Sequence, residues 1–152
     1  MPEVIFRQAA AADLAAVVAL LADDIKGRTR ERVEDPVAAC YADAFARISA
    51  SPDNELILAD LGGRIVGTMH LTRIPGLSRQ GLTRVIIESV RVASNLRGQG
   101  IGEQMMRHAI ARSKDWGAQL VQLTSDVMRT DAHRFYERLG FEKSHAGFKL
   151  TL

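Results

Sequence analysis

The sequence predicts a mixed α/β fold built around one sheet. Three observations carry that prediction. Short runs rich in β-branched residues alternate with helical apolar stripes, glycines punctuate the joints, and the composition is that of a globular chain. Of 152 residues, 47% are hydrophobic and 25% charged. That suffices for a core and argues against disorder. The length suits one domain, residues 1–152.

The elements follow in order. Val4–Arg7 reads as a first strand. Asp13–Ile25 is an alanine-rich helix with Asp13 as its N-cap. Its apolar run LAAVVALLA (Leu14–Ala22) looks like a secretion signal, but acidic residues flank it, no cleavage site follows, and it is too short to span a bilayer. A cytoplasmic location is the natural expectation. Gly27–Asp35 is a charged, mobile loop, and Pro36–Ile48 a second helix with proline in its first turn. Glu55–Asp60 and Arg64–Arg73 form a hairpin across Leu61-Gly62-Gly63, and Ile74–Leu82 is a connecting loop. Arg84–Val92, RVIIESVRV, is a central strand. Ile101, Met105, Ala109 and Ile110 then mark a helix that stops at Gly117. Gln119–Thr124 is a strand, Asp131–Leu139 a helix, and Phe141–Leu152 a closing strand.

The net charge is only +2 and the five phenylalanines are scattered, which argues against a nucleic-acid-binding face. Cys40 is the sole cysteine, so internal disulfides and cysteine-rich zinc sites are excluded, and it reads as buried in its helix. His70, His108, His133 and His145 lie on separate elements without metal-ligand spacing, so no metal is expected.

The stretch LRGQGIG, Leu96–Gly102, carries the chemistry. Glycine costs backbone entropy, and three at alternate positions ask for a reason. A strand, a glycine-rich turn and a helix start together make an anion site, because unpaired N–H groups and the helix dipole face outward there. Arg97 adds charge. A Walker loop would end in Gly-Lys-Ser/Thr, whereas Gly102 precedes Glu103. The dinucleotide fingerprint is spaced G-x-G-x-x-G, not G-x-G-x-G, although Asp126 falls roughly where its acidic partner belongs. On the glycines alone, a phosphate loop, a dinucleotide loop and a tightly packed turn without ligand all stay open.

Arg97-Gly98-Gln99-Gly100-Ile101-Gly102 has the form R/Q-x-x-G-x-G/A, preceded by IIESVRV and followed later by FYERLGF, Phe135–Phe141. Joined at this spacing, and with the same order of elements, the chain resembles the GNAT superfamily of N-acetyltransferases over almost its whole length. The resemblance implies a GNAT fold: a mixed, mostly antiparallel sheet flanked by about four helices. It implies acetyl-CoA as cosubstrate, a small-molecule or protein amine as acceptor, and no partnership with nucleic acid or membrane. Similar proteins often form homodimers.

The same resemblance assigns roles. Amides of Arg97, Gly98, Gln99, Gly100, Ile101 and Gly102 would hold the pyrophosphate of coenzyme A. Val90, Arg91 and Val92 would pair their main chain with the pantetheine arm, in a gap opened where this strand splays from Gln119–Thr124. An N–H near Val90 would polarise the acetyl carbonyl. Tyr136 matches the family's acid for the leaving thiolate, and a tyrosine hydroxyl, with reference pKa about 10, is protonated at neutral pH. Glu88 is the best candidate base, against a salt bridge to Arg84 or Arg91 or replacement by a water chain. Strand alternation would set Glu88, Val90 and Val92 on one face and Ser89 and Arg91 on the other, unless a bulge intervenes. His70, beside the presumed acceptor cleft, is a weaker alternative base. One departure stands out: the family often has asparagine where this chain has Arg129, and Thr130-Asp131 reads as a helix cap. A non-catalytic acyl-CoA-binding regulatory module is the alternative function. The acceptor would meet the charged segment Asp23–Pro36, whose mixed signs leave its identity open.

Overall fold

Strand pairing organises the chain, and the computed structural model describes residues 3–152. Five strands form one sheet in sequence order, β1 (Ile5–Gln8), β2 (Asn54–Leu61), β3 (Arg64–Pro75), β4 (Thr83–Val92) and β5 (Leu120–Gln122). The first three pairings are antiparallel and the last is parallel. The mixed, mostly antiparallel sheet agrees with the expected fold class. Two compact units divide the chain, one ending at Gln122 and holding the sheet, the other Leu123–Leu152.

In the first unit, a 3-10 turn (Ala11–Asp13) leads into α1 (Leu14–Ala22). Asp13 stands at the N-cap of this helix as expected, but its side chain makes no capping bond there. Its carboxylate reaches back to the Ala10 N–H at 2.7 Å and pairs with Arg7 at 2.8 Å. The charged segment after α1 is not all loop, since Gly27–Arg30 forms a short helical turn, α2. Helix α3 (Ala39–Ala50) starts three residues beyond Pro36, because Ala38 is still extended at ψ 144°. Cys40 is exposed on α3 rather than buried, as this helix buries none of its residues fully.

Leu61 pairs with Arg64 across a two-residue turn in which Gly62 and Gly63 both take positive φ, 61° and 89°. That backbone suits the twist of the hairpin and excludes most other residues. Strand β3 runs on through Pro75, so the predicted loop shortens to a turn, α4 (Ser78–Gly81), with Arg79 and Gln80 left-handed. The parallel β4–β5 pairing needs a crossover, supplied by α5 (Ile101–Asp115).

The core lies on both faces of the sheet. Ile101, Met105, Met106 and Ala109 of α5 are essentially fully buried, as are Ile57, Met69, Leu71, Val85 and Ile87 of the strands. A Cβ at Gly67 would sit 2.7 Å from Met105 Sδ, so the glycine admits close contact between sheet and helix. Leu14, Val17, Val18 and Leu20 of α1 pack towards β3 and β4. Buried Glu55 reaches α5, where Arg112 Nε donates to its Oε2 at 2.9 Å. Arg112 and Arg73 both lie over the Trp116 ring, at 5.2 and 4.8 Å.

In the second unit, α6 (Thr130–Arg138) ends at Gly140, φ 98°. Arg129 occupies the N-cap position and no side chain caps the helix, so the Thr130-Asp131 cap is not formed. Phe141–Leu152 does not form the predicted closing strand. Phe148, Leu150 and Leu152 keep a strand's period of two, but they are exposed and their backbone joins no ladder.

Candidate functional site

Strand β4 changes character half-way along. Glu88 lies opposite His70, but the next pair is Arg91 opposite Thr68, so Ser89 and Val90 together face Met69. This is a β-bulge, and Ser89 takes φ 53° to form it. The extra residue reverses the alternation. Val92 pairs with Gly67 on the α5 face, whereas Glu88 with His70 and Arg91 with Thr68 share the opposite face. The expected grouping of Glu88, Val90 and Val92 is thereby corrected: Arg91, not Val92, joins Glu88. Strand β5 pairs only with Arg84–Ile86. From Ile87 onward β4 has no strand partner on that side among the described residues. Its main-chain groups there form an edge that an extended ligand can continue.

The edge leads into the glycine turn. A 3-10 turn (Ser94–Leu96) follows β4, then Gly98 and Gly100 take positive φ of 78° and 83°, and Gly100 is the N-cap residue of α5. Ile101 is buried and anchors the helix start, while Gly98 and Gln99 are exposed. The amides of the first turn have no partner within the helix.

Arg97 does more than lend charge. Its Nη2 donates to the Asp23 carbonyl at 2.7 Å and its Nε to the Val92 carbonyl at 3.2 Å. Asp23 Oδ2 accepts from the Ser94 N–H at 2.8 Å, and that bond foremost holds its carboxyl below the usual carboxylate range. Next to it, Asp24 pairs with Arg91 at 3.2 Å and accepts from the Gly27 N–H. The corner after α1 is thus clasped by three contacts to the end of β4, the 3-10 turn and the glycine turn, through Arg91, Ser94 and Arg97. Sequence reading missed this clasp, because consecutive aspartates after a helix carry no signal of a partner some seventy residues away.

Facing β4, His70 is half-buried. Asn54 Nδ2 donates to Ser51 Oγ at 3.0 Å, leaving its Oδ1 to accept from Thr72 Oγ1 at 2.8 Å and from His70 Nε2 at 2.8 Å. Burial pushes the imidazole below its ordinary pKa, and Glu88 opposite partly offsets this. Glu88 itself is exposed and makes no salt bridge with Arg84 or Arg91: Arg84 donates to Gln122 and Arg91 pairs with Asp24.

In the second unit, the Tyr136 ring is half-buried on α6, edge-on to Phe135 at 5.2 Å and Phe141 at 5.9 Å. The Phe141 N–H returns to the Tyr136 carbonyl at 3.1 Å, which fixes the turn at Gly140. Among the described residues, no group of three or more histidines, cysteines or acids could hold a metal, and no helix is long and apolar enough to cross a membrane.

The model of the acetyltransferase (GNAT) family matches residues 19–141. The chain belongs to that family. As a GNAT member it is an acetyl-CoA-dependent N-acetyltransferase. An aminoalkylphosphonate N-acetyltransferase from Salmonella typhimurium is 32% identical over 152 residues, 100% of this chain and 94% of the relative. A crystal structure of a transcriptional regulator from Bacillus halodurans is 48% identical, with TM-score 0.96 over 99% of this chain and 100% of that one. The GNAT fold extends to a Clostridium acetobutylicum structure with acetyl-CoA, at 16% identity, TM-score 0.75, and 98% and 96% coverage.

Proposed function

We propose that this GNAT chain transfers the acetyl group of acetyl-CoA to the primary amine of a small molecule that also carries an anionic group. One observation carries the cofactor half of the reading: the open edge of β4 runs directly into a glycine turn at the start of α5. Main-chain groups of Val90, Arg91 and Val92 would bind the pantetheine arm, and amides from Arg97 to Gly102 the pyrophosphate. A β4 N–H near Val90, at the bulge, would stabilise developing charge on the acetyl oxygen.

The chemistry asks little else of the side chains. A thioester is already activated, so a neutral amine held in line attacks it. Glu88, exposed on the face it shares with His70, takes the ammonium proton, and Tyr136 returns one to the leaving thiolate. An anionic acceptor is supported by the aminoalkylphosphonate relative and by Arg28, Arg30 and Arg32, all exposed at and after α2. The family match crosses the boundary at Gln122, which supports one N-acetyltransferase domain over the whole chain.

The test is thiol release from acetyl-CoA across a panel of amines, with aminoalkylphosphonates set beside amines of equal length that lack the phosphonate. The phosphonates should react at least tenfold faster by kcat/KM. Equal rates would remove the anionic requirement. Tight acetyl-CoA binding without release for any amine would favour the second reading, an acyl-CoA-binding regulatory module. The similarity to a transcriptional regulator gives that reading its support.

A further inference from the structure

The surroundings of His70 select one tautomer and set it across from a carboxylate. The Asn54 amide is oriented by Ser51 Oγ, which accepts from Asn54 Nδ2 at 3.0 Å. Asn54 Oδ1 can only accept, so His70 Nε2 carries the hydrogen between them, at 2.8 Å. The lone pair of the neutral ring is then on Nδ1. Directly across the ladder on the same face is Glu88. Of the other elements around His70, β4 brings Arg91, which is tied to Asp24, and α3, packed on β2, brings Asp43 and Arg47; its β2 neighbours Asn54 and Leu56 are uncharged, and α1, which packs on β3, reads LAAVVALLA.

We propose that His70 is a proton-relay residue of the acetyl-transfer site, accepting at Nδ1 the proton that Glu88 draws from the acceptor's ammonium, with Asn54 as its positioning residue. This rests on the functional reading above. In the first transfer an ammonium N–H bond breaks and a Glu88 O–H bond forms, leaving the electron pair on the amine. In the second the Glu88 O–H breaks and a His70 Nδ1–H forms. Glu88 is restored as a carboxylate facing the new imidazolium, which Asn54 Oδ1 holds through Nε2–H. The imidazolium then releases its proton to water. The relay frees Glu88 to take a proton in the next turnover, and half-burial keeps the resting ring neutral.

Two measurements test this together. The 15N spectrum of the imidazoles, assigned with His70→Gln, should show His70 as the Nε2–H tautomer, with a lower pKa in Glu88→Gln. The pH profile of kcat with the best amine should carry an acid limb that moves to higher pH by about one unit in Asn54→Asp, because a carboxylate beside Nε2–H favours the imidazolium. In His70→Gln, which keeps a donor for Asn54, kcat should fall about tenfold, with KM for acetyl-CoA within about twofold. An Nδ1–H tautomer, or a limb unmoved by Asn54→Asp with transfer intact, would overturn the relay alone. A wild-type chain that acetylates no amine would overturn both the relay and the functional reading.

Discussion

At the residue scale, single positions decide whether the site keeps its shape. A Cβ at Gly27 would lie 1.9 Å from the Leu21 carbonyl oxygen, which is backbone and cannot step aside. Gly27→Ala should therefore cost more than about 2 kcal/mol and lower the melting temperature by several degrees. Melting within a degree of wild type would mean that the corner after α1 is looser than its geometry implies. Tyr136→Phe keeps the ring and its contacts to Phe135 and Phe141 but deletes the hydroxyl. It should lower kcat about 10- to 100-fold with acetyl-CoA affinity nearly unchanged, read by steady-state kinetics and calorimetry. Unchanged turnover would remove Tyr136 from the mechanism.

At the element scale, the clasp of α1 on the glycine turn links two regions that sequence reading kept apart. Asp23→Ala removes the carboxylate that accepts from the Ser94 N–H while leaving the backbone carbonyl that Arg97 uses. Acetyl-CoA binding should weaken about tenfold, since a loosened turn must be ordered at the moment of binding. Calorimetry that finds affinity within twofold of wild type would make the clasp purely structural. The elements themselves were legible where a local pattern decides them. The Gly62-Gly63 turn, the β-branched run of β4 and the stripe of α5 each follow from a few adjacent residues. The bulge at Ser89 was not, because a register shift exists only between two strands. The closing strand fails for a related reason: Phe148, Leu150 and Leu152 have the period, but a strand also needs a neighbour to bond. Of the candidate site, the glycine turn, Glu88 and Tyr136 were readable through the family's motifs. The Asn54–His70 contact was not, as it joins side chains sixteen residues apart across a hairpin.

At the scale of the whole molecule, stability should fall with acid in two stages. Burial lowers His70 and His108 below the ordinary 6.5, so the unfolded chain binds these protons first. Their contribution is complete above pH 6.5 and is lost as pH falls from there through their folded values. Asp13, Asp23 and Asp24 are lowered by the Arg7 side chain, the Ser94 N–H and the Gly27 N–H respectively. Their contribution is present above the ordinary 3.8 and is lost below it, as pH falls through their folded values. Melting temperature measured against pH should therefore decline below about 6.5 and decline again below about 4. A flat profile between pH 7 and 4.5 would contradict the histidine stage.

The central claim is that acetyl-CoA lies along the open edge of β4 with its pyrophosphate on the turn before α5. Titrating the 15N-labelled chain with acetyl-CoA tests it most directly. The amides of Val90–Val92 and of Arg97–Gly102 should show the largest shifts and saturate together. Saturation with those amides unmoved, and the shifts clustered elsewhere, would contradict the account.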